Sequence, residues 1–77
     1  MNPQLAALIA AHCAAANAYK VAEAGGVGKK ILDKLRIAEW RAFVDVAHYE
    51  PATDEEFSRQ AEHVRWRWED PALAKLR

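Results

Sequence analysis

Three histidines and one cysteine are the side chains of this sequence best suited to metal binding or nucleophilic chemistry. They are His12, Cys13, His48 and His63. No two of the histidines are three or four positions apart, the spacing that places two metal ligands on one face of a helix. Cys13 adjoins His12 and therefore points about 100° away around a helix. We expect no metal site and no cofactor, with histidines that are either solvated or part of the core.

Residue pairs suited to acid–base catalysis are also lacking. Neighbouring acids such as Glu55 and Glu56 face different directions on a helix, so they do not present paired carboxylates. A chain of 77 residues that forms three thin helices leaves little room for a concave pocket that excludes water. The sequence therefore predicts a protein without enzymatic activity.

A glycine-rich segment lies between Ala24 and Lys30. The residues from Gly25 to Lys29 read Gly-Gly-Val-Gly-Lys and resemble the phosphate-binding loop of the ParA-type ATPases. Ala24 stands where that loop has its signature lysine, and Lys30 stands where it has the hydroxyl residue that binds Mg²⁺. The loop in those ATPases also follows a strand, whereas a helix is predicted here. We interpret the segment as the turn of a helical hairpin.

Glycine and proline divide the sequence into three uninterrupted segments. The glycines all lie between positions 25 and 28, and the prolines are Pro3, Pro51 and Pro71. The segments are rich in Ala, Leu, Lys, Arg and Glu, which favour helix. We expect an all-α fold with one domain over residues 1–77. It consists of an antiparallel hairpin at about 4–24 and 28–49, a shorter third helix at about 53–69 packed on it, and a terminal turn.

The third segment combines a clear start signal with an alternation of cations and aromatics. Thr53 to Glu56 forms a capping box. Apolar residues then recur at helical spacing and predict an inward face, which consists of Phe57, Ala61, Val64 and Trp68. Trp66 is predicted to point outward between charged neighbours. The alternating cations and aromatics from His63 to Trp68 could also stack on a single-stranded nucleic acid. The helical pattern explains more residues of this segment than that alternative does.

Charge and size limit the possible partners. Eleven Lys and Arg balance eleven Asp and Glu, so the net charge of zero gives no bulk attraction to nucleic acid or to an anionic membrane. A core this small needs a disulfide, a metal or oligomerisation, and a single cysteine excludes an internal disulfide. The apolar run from Leu5 to Ala16 is shorter than the roughly 20 residues of a membrane span. We expect a cytoplasmic homodimer.

The second helix has two apolar faces. The broader one should form the hairpin core and contains Ile31, Leu32, Leu35, Ala38, Ala42, Phe43, Val46 and Tyr49. Roughly 150° away lies a second ridge of Ile37, Trp40, Val44 and Ala47. Either the third helix or another subunit could cover this ridge. We predict a surface for a second copy or another protein target at Ile37, Trp40, Val44 and Trp66.

The alternative function is a small regulator that associates with DNA or RNA. Its contacts would come from basic side chains of the second helix, namely Lys29, Lys30, Lys34, Arg36 and Arg41. In a dimer, two such basic stretches could lie along one duplex although the chain as a whole is neutral. The acidic first turn of the third helix would repel DNA, which makes this helix unsuitable for reading bases.

Overall fold

Three helices make up most of the chain in the computed structural model, which describes residues 3–76. Helix α1 spans Pro3–Ala24, α2 spans Lys29–Ala47 and α3 spans Asp54–Glu69, and a 3-10 turn follows at Ala74–Leu76. The described residues contain no strand. The predicted all-α architecture is confirmed: α1 and α2 form a closely packed hairpin, and the shorter α3 packs on it.

The glycine-rich segment closes the α1–α2 hairpin, as its interpretation as a turn requires. The amide of Gly26 donates to the carbonyl of Glu23, and the amide of Val27 donates to the carbonyl of Ala22. This pair of bonds is a Schellman motif, which needs a residue in the left-handed region at the position of Gly26. Gly26 has a φ of 71°, so glycine is favoured there.

Replacing Gly26 with Ser is expected to lower the free energy of unfolding by about 1 kcal/mol, because a Cβ is strained at this positive φ. Gly28→Ser is the matched control. Gly28 has a φ of −64° and is the N-cap of α2, where Ser is a preferred residue, so this change should be neutral or stabilising. Chemical denaturation measures both variants, and an equal loss in the two would contradict the role of Gly26.

Helices α2 and α3 are antiparallel, and the predicted capping box holds the start of α3. The Thr53 hydroxyl accepts from the Glu56 amide at 3.1 Å. In a standard capping box the Glu56 carboxylate would accept from the amide of the N-cap residue, Thr53. Here it accepts instead from the amide of the preceding residue, Ala52, at 2.8 Å. It also accepts from the Tyr49 hydroxyl at 3.0 Å. Gln60 then donates to the Val46 carbonyl at 2.8 Å. These bonds fasten the end of α2 to the first half of α3.

The C-terminal turn is tied to α1 as well as to α3. Asp70 accepts from the amides of Ala72 and Leu73, in the capping position that the Asp-Pro pair predicts, and Leu73 is fully buried. Asp70 also accepts from Lys20 at 2.8 Å, and this bond lowers the pKa of Asp70. Lys75 pairs with Glu23 at the surface.

Helix α1 is a continuous helix of 22 residues, longer than the apolar run in its sequence. By length and composition it could cross a membrane, and a core helix of a soluble protein passes the same test. Its buried side chains are Leu5, His12, Ala16 and Tyr19. The His12 imidazole, which is 0% exposed, is therefore a polar group buried among the helices.

Candidate functional site

A buried network of four polar side chains joins the three helices. His12 of α1, Glu39 of α2 and Arg67 of α3 are at most 1% exposed, and His63 of α3 is also buried. Glu39 Oε2 lies 2.6 Å from His12 Nε2. Arg67 donates to the same carboxylate from Nε at 2.8 Å and from Nη2 at 3.0 Å. His63 Nε2 lies 2.6 Å from His12 Nδ1, so one carboxylate and one imidazole connect all three helices.

The electrostatics of the network depend on an ionised Glu39. Burial alone would raise the pKa of Glu39, but hydrogen bonds from His12 and Arg67, with their charges, lower it to about 2. A carboxylate can only accept, so His12 Nε2 is the donor in that hydrogen bond. Burial, together with the charge of His12, lowers the pKa of His63 to about 4, so the His63 ring is neutral near pH 7.

Aromatic rings enclose the network. The Arg67 Cζ atom lies 4.4 Å from the ring centroid of Phe43 and 5.3 Å from that of Trp40. The His12 centroid is 5.4 Å from Phe43 and 5.9 Å from Trp66. Such rings keep water out and stabilise a guanidinium charge. Arg67 Nη1 is buried as well, and within residues 3–76 it has no hydrogen-bond partner.

The prediction of which face of α3 is buried is wrong. The predicted inward stripe is largely at the surface, since Phe57 is 60% exposed and Trp68 is 48% exposed. The buried face contains instead four polar residues, each of which comes one position before a residue of the predicted stripe. They are Glu56, Gln60, His63 and Arg67. One position is a rotation of about 100°. The helix adopts this rotation because His12, Glu39 and the end of α2 supply hydrogen-bond partners for these polar groups.

The same rotation moves Trp66 away from its predicted outward position. Trp66 is half-buried, with its ring centroid 5.2 Å from His63 and with Lys20 Nζ 5.2 Å from the ring. It therefore lies on the side of α3 that faces α1. Trp40 lies on another side of the molecule, where it contacts Arg67 and Phe43.

The surface of α2 and α3 that faces away from α1 carries two apolar stripes. On α3, Trp66 and His63 contact α1. Arg67 lies next around the helix and contacts α2. Continuing in the same direction around the helix, Val64 and Phe57 follow on the side away from α1. On α2, Glu39 contacts His12 of α1. Trp40 lies next around the helix and contacts Arg67 of α3. Val44 and Ile37 then follow on the side away from α1. Each helix thus turns its apolar stripe to the same side of the pair.

We call this surface the apolar face. It comprises Ile37, Trp40 and Val44 from α2 with Phe57, Val64 and Trp68 from α3. Ile37 and Trp40 are 50% and 51% exposed, while Val44 and Val64 are half-buried. Helix α3 therefore leaves much of the α2 ridge uncovered. The structure brings together three of the four predicted interaction residues, Ile37, Trp40 and Val44, and places Trp66 elsewhere.

The basic side chains of the alternative function are all at the surface of α2. Lys29, Lys30, Lys34, Arg36 and Arg41 are exposed. They do not form one patch, because Lys30, Lys34 and Arg41 share one side of the helix while Lys29 and Arg36 lie more than 90° away around the axis, by the helical repeat. Arg36 forms a surface pair of 3.5 Å with Asp33.

No known family matches the chain. Comparisons with protein-family models, with curated proteins and with solved structures give no match. In residues 3–76, no group of three or more His, Cys, Asp or Glu side chains could hold a metal ion. The buried network and the apolar face are therefore the two features from which a function can be inferred.

Sequence reasoning missed the buried network, although two signals pointed to it. His12 is the one strongly polar side chain in the apolar run from Leu5 to Ala16. The polar residues of α3 also repeat at the same helical spacing as the apolar stripe beside them. A pattern of this kind fits a polar buried face as well as an apolar one, and only the partners on α1 and α2 decide between them.

Proposed function

We propose that this chain is a small, non-enzymatic helical interaction protein that acts as a homodimer through its apolar face. The observation that carries the proposal is the placement of two neighbouring apolar stripes, from α2 and α3, on the side of this helix pair that faces away from α1. Contiguous apolar surface of this kind marks sites of protein association.

The burial of apolar side chains in a single chain supports this proposal. Large apolar side chains that are about half exposed or more include Val21, Ile31, Ile37, Trp40, Phe57 and Trp68. The accessible surface is 5145 Å² for a chain of 8.6 kDa, whereas a compact monomer of that mass exposes about 4,700 Å². Much of the centre is occupied by the polar network. A second copy would supply apolar burial that one chain lacks.

The dimensions of the molecule suit a second copy as the occupant. The chain measures 42 × 20 × 15 Å along its principal axes, so a standard interface of about 800 Å² per partner would take up most of its broad side. Two copies would stack their α2–α3 layers face to face about a two-fold axis, with each α1 on the outside. An isologous contact of this type buries the same residues in both copies.

Two further statements belong to the same proposal. The placement of His12, on α1, in hydrogen bonds with α2 and α3 favours α1 as a core helix over a membrane span. We propose a cytoplasmic location for the protein. The alternative, a regulator bound to DNA or RNA, depends on basic side chains that are exposed but divided between sides of α2. No specific observation favours it, and it becomes one outcome of the experiment below.

Trp40→Asp and Ile37→Asp are each expected to convert the dimer to a monomer, because either change buries a charge in the interface. Ile31→Asp is the matched control, since Ile31 is on the same helix and 53% exposed, yet lies about 120° from Ile37. Light scattering gives the mass, and circular dichroism confirms that each variant remains helical.

Unchanged mass in both folded variants, or equal disruption by Ile31→Asp, would contradict the apolar face as the interface. A gel-shift titration of the wild-type chain at low and moderate salt tests the alternative function. Binding that falls steeply with salt, and that is lost on neutralising Lys30, Lys34 and Arg41, would favour a nucleic-acid regulator instead.

A further inference from the structure

A pocket beside the buried network has the composition of an anion site. Its volume is about 260 Å³, and it lies between the middle of α2, the end of α3 and the C-terminal 3-10 turn. The lining residues are Arg36, Ile37, Glu39, Trp40, Arg67 and Leu76. Sites for drug-sized molecules have volumes of about 300–1,000 Å³, so this pocket suits a smaller ligand.

Arg67 supplies the first reason to expect an anion. Its side chain is 1% exposed, and its Nε and Nη2 atoms are used by Glu39. Nη1 is buried and has no hydrogen-bond partner among the described residues. Phe43 and Trp40 stabilise the charge through their rings but present no oxygen to accept from Nη1. A buried donor left in this condition is costly. The side chains that cover Nη1 would have to move aside on binding, and a ligand oxygen would then satisfy it.

The charges around the pocket indicate a ligand with one negative charge. Glu39 and Arg67 neutralise each other through two hydrogen bonds. Arg36 then adds one positive charge to the lining. Its pair with Asp33 is exposed and measures 3.5 Å, a type of surface contact that contributes little and is readily exchanged. The pocket therefore has one cation in excess.

The remaining walls are apolar. Trp40 and Ile37 are about half exposed, and Leu76 is half-buried in the C-terminal turn. An inorganic anion would leave these side chains without contact, whereas a carboxylic acid with an aromatic or aliphatic body would cover them. Arginine also matches a carboxylate in shape, since its planar fork of donors fits two oxygens. Arg36 is the arginine that can present such a fork here, because Nε and Nη2 of Arg67 donate to Glu39.

We propose that this pocket binds a small monocarboxylate. Its carboxylate accepts from Arg67 Nη1 and from the Arg36 guanidinium, and its apolar body packs on Trp40, Ile37 and Leu76. Both arginines come from one chain, so the site is complete in a monomer, whereas the proposed homodimer would cover the Ile37 and Trp40 side chains on which the ligand packs. Because Ile37 and Trp40 also belong to the apolar face, binding should be measured at protein concentrations where the chain is a monomer and where it is self-associated.

The test is a calorimetric titration of the intact wild-type chain with benzoate and with hexanoate, using benzamide and hexanamide as neutral analogues of the same shape. We expect saturable binding of at least one acid, with its amide at least about 10-fold weaker, because hydrogen bonds to a charged group are the stronger ones. Absence of saturable binding by both acids, or equal binding of acid and amide, would overturn the proposal.

Variants locate the site. Arg36→Gln should weaken binding about 5-fold or more, while Arg65→Gln, an exposed arginine on α3 outside the pocket lining, should leave it unchanged. Arg67 is part of the core, so its role is followed without substitution, by the shift of its side-chain NMR signals on adding benzoate. Equal effects of the two substitutions, or binding without a shift at Arg67, would contradict the assignment.

Discussion

Arg67→Ala is expected to lower the free energy of unfolding by at least about 3 kcal/mol, enough to unfold much of a chain of this size at room temperature. Arg67 donates two hydrogen bonds to Glu39, and both side chains are buried. Without it the ionised carboxylate keeps only His12 as a partner in an environment that excludes water. The variant also loses the contacts of the guanidinium with Phe43 and Trp40. Urea denaturation, followed by circular dichroism, measures the loss.

Arg65→Ala is the matched control, because Arg65 is two positions earlier on the same helix and exposed. A change within about 0.5 kcal/mol is expected there. A double variant separates charge from packing: Glu39→Leu with Arg67→Met leaves no unpaired charge and should recover part of the stability that Arg67→Ala loses. If Arg67→Ala and Arg65→Ala are equally stable, the buried network does not hold the helices together.

Stability is expected to fall on acidification from pH 6.5 towards pH 4, by an amount on the order of 3 kcal/mol. The His63 pKa is lowered from 6.5 to about 4 in the folded chain. Between these values the unfolded chain binds more protons than the folded chain, so protons favour unfolding. The Glu39 pKa, lowered from 4.5 to about 2, extends the loss to more acidic solution. Thermal or urea unfolding across this range gives the slope.

His63→Gln should flatten the slope between pH 6.5 and 4.5, because glutamine does not titrate while it keeps a hydrogen-bonding side chain. His48→Gln is the control, since His48 is exposed at the end of α2 and outside the network. It should retain the wild-type slope. A wild-type chain whose stability is constant from pH 7 to pH 4.5, or a His63→Gln variant with an unaltered slope, would contradict the burial of a neutral His63.

Much of the backbone could be predicted from the sequence because its signals are local. The turn at Gly25 to Gly28, the cap at Thr53 and the Asp70-Pro71 turn each depend on residues within a few positions of one another. Rules for turns and caps describe such short-range contacts directly. The three helices accordingly begin and end within two residues of their predicted bounds.

The rotation of α3 could not be predicted in this way. Two stripes on this helix have the same spacing, and hydrophobicity alone favours burial of the one that contains Phe57 and Trp68. The stripe that is buried contains His63 and Arg67, whose partners are separated from them by 51 and 28 positions in the sequence. A single-helix pattern carries no information on those partners.

The rotation of α3 accounts for both the polar core and the apolar face. Turning α3 by about one residue would bury Phe57 and Trp68 inside the chain, but it would separate Arg67 from Glu39 and His63 from His12. In the observed rotation Glu39, His12 and His63 find hydrogen-bond partners within one chain, and Phe57 and Trp68 are about half exposed or more. Homodimerisation through the apolar face would allow both the polar network and the apolar stripe of α3 to be buried. For this reason it is the central part of the proposed function.

The most direct measurement of this claim is sedimentation equilibrium of the wild-type chain over a wide range of concentration, beside Ile37→Asp and Ile31→Asp. The proposal predicts that the wild-type chain and Ile31→Asp approach twice the chain mass of 8.6 kDa, while Ile37→Asp stays at 8.6 kDa and remains helical. A wild-type chain that stays at 8.6 kDa throughout the range would contradict the homodimer.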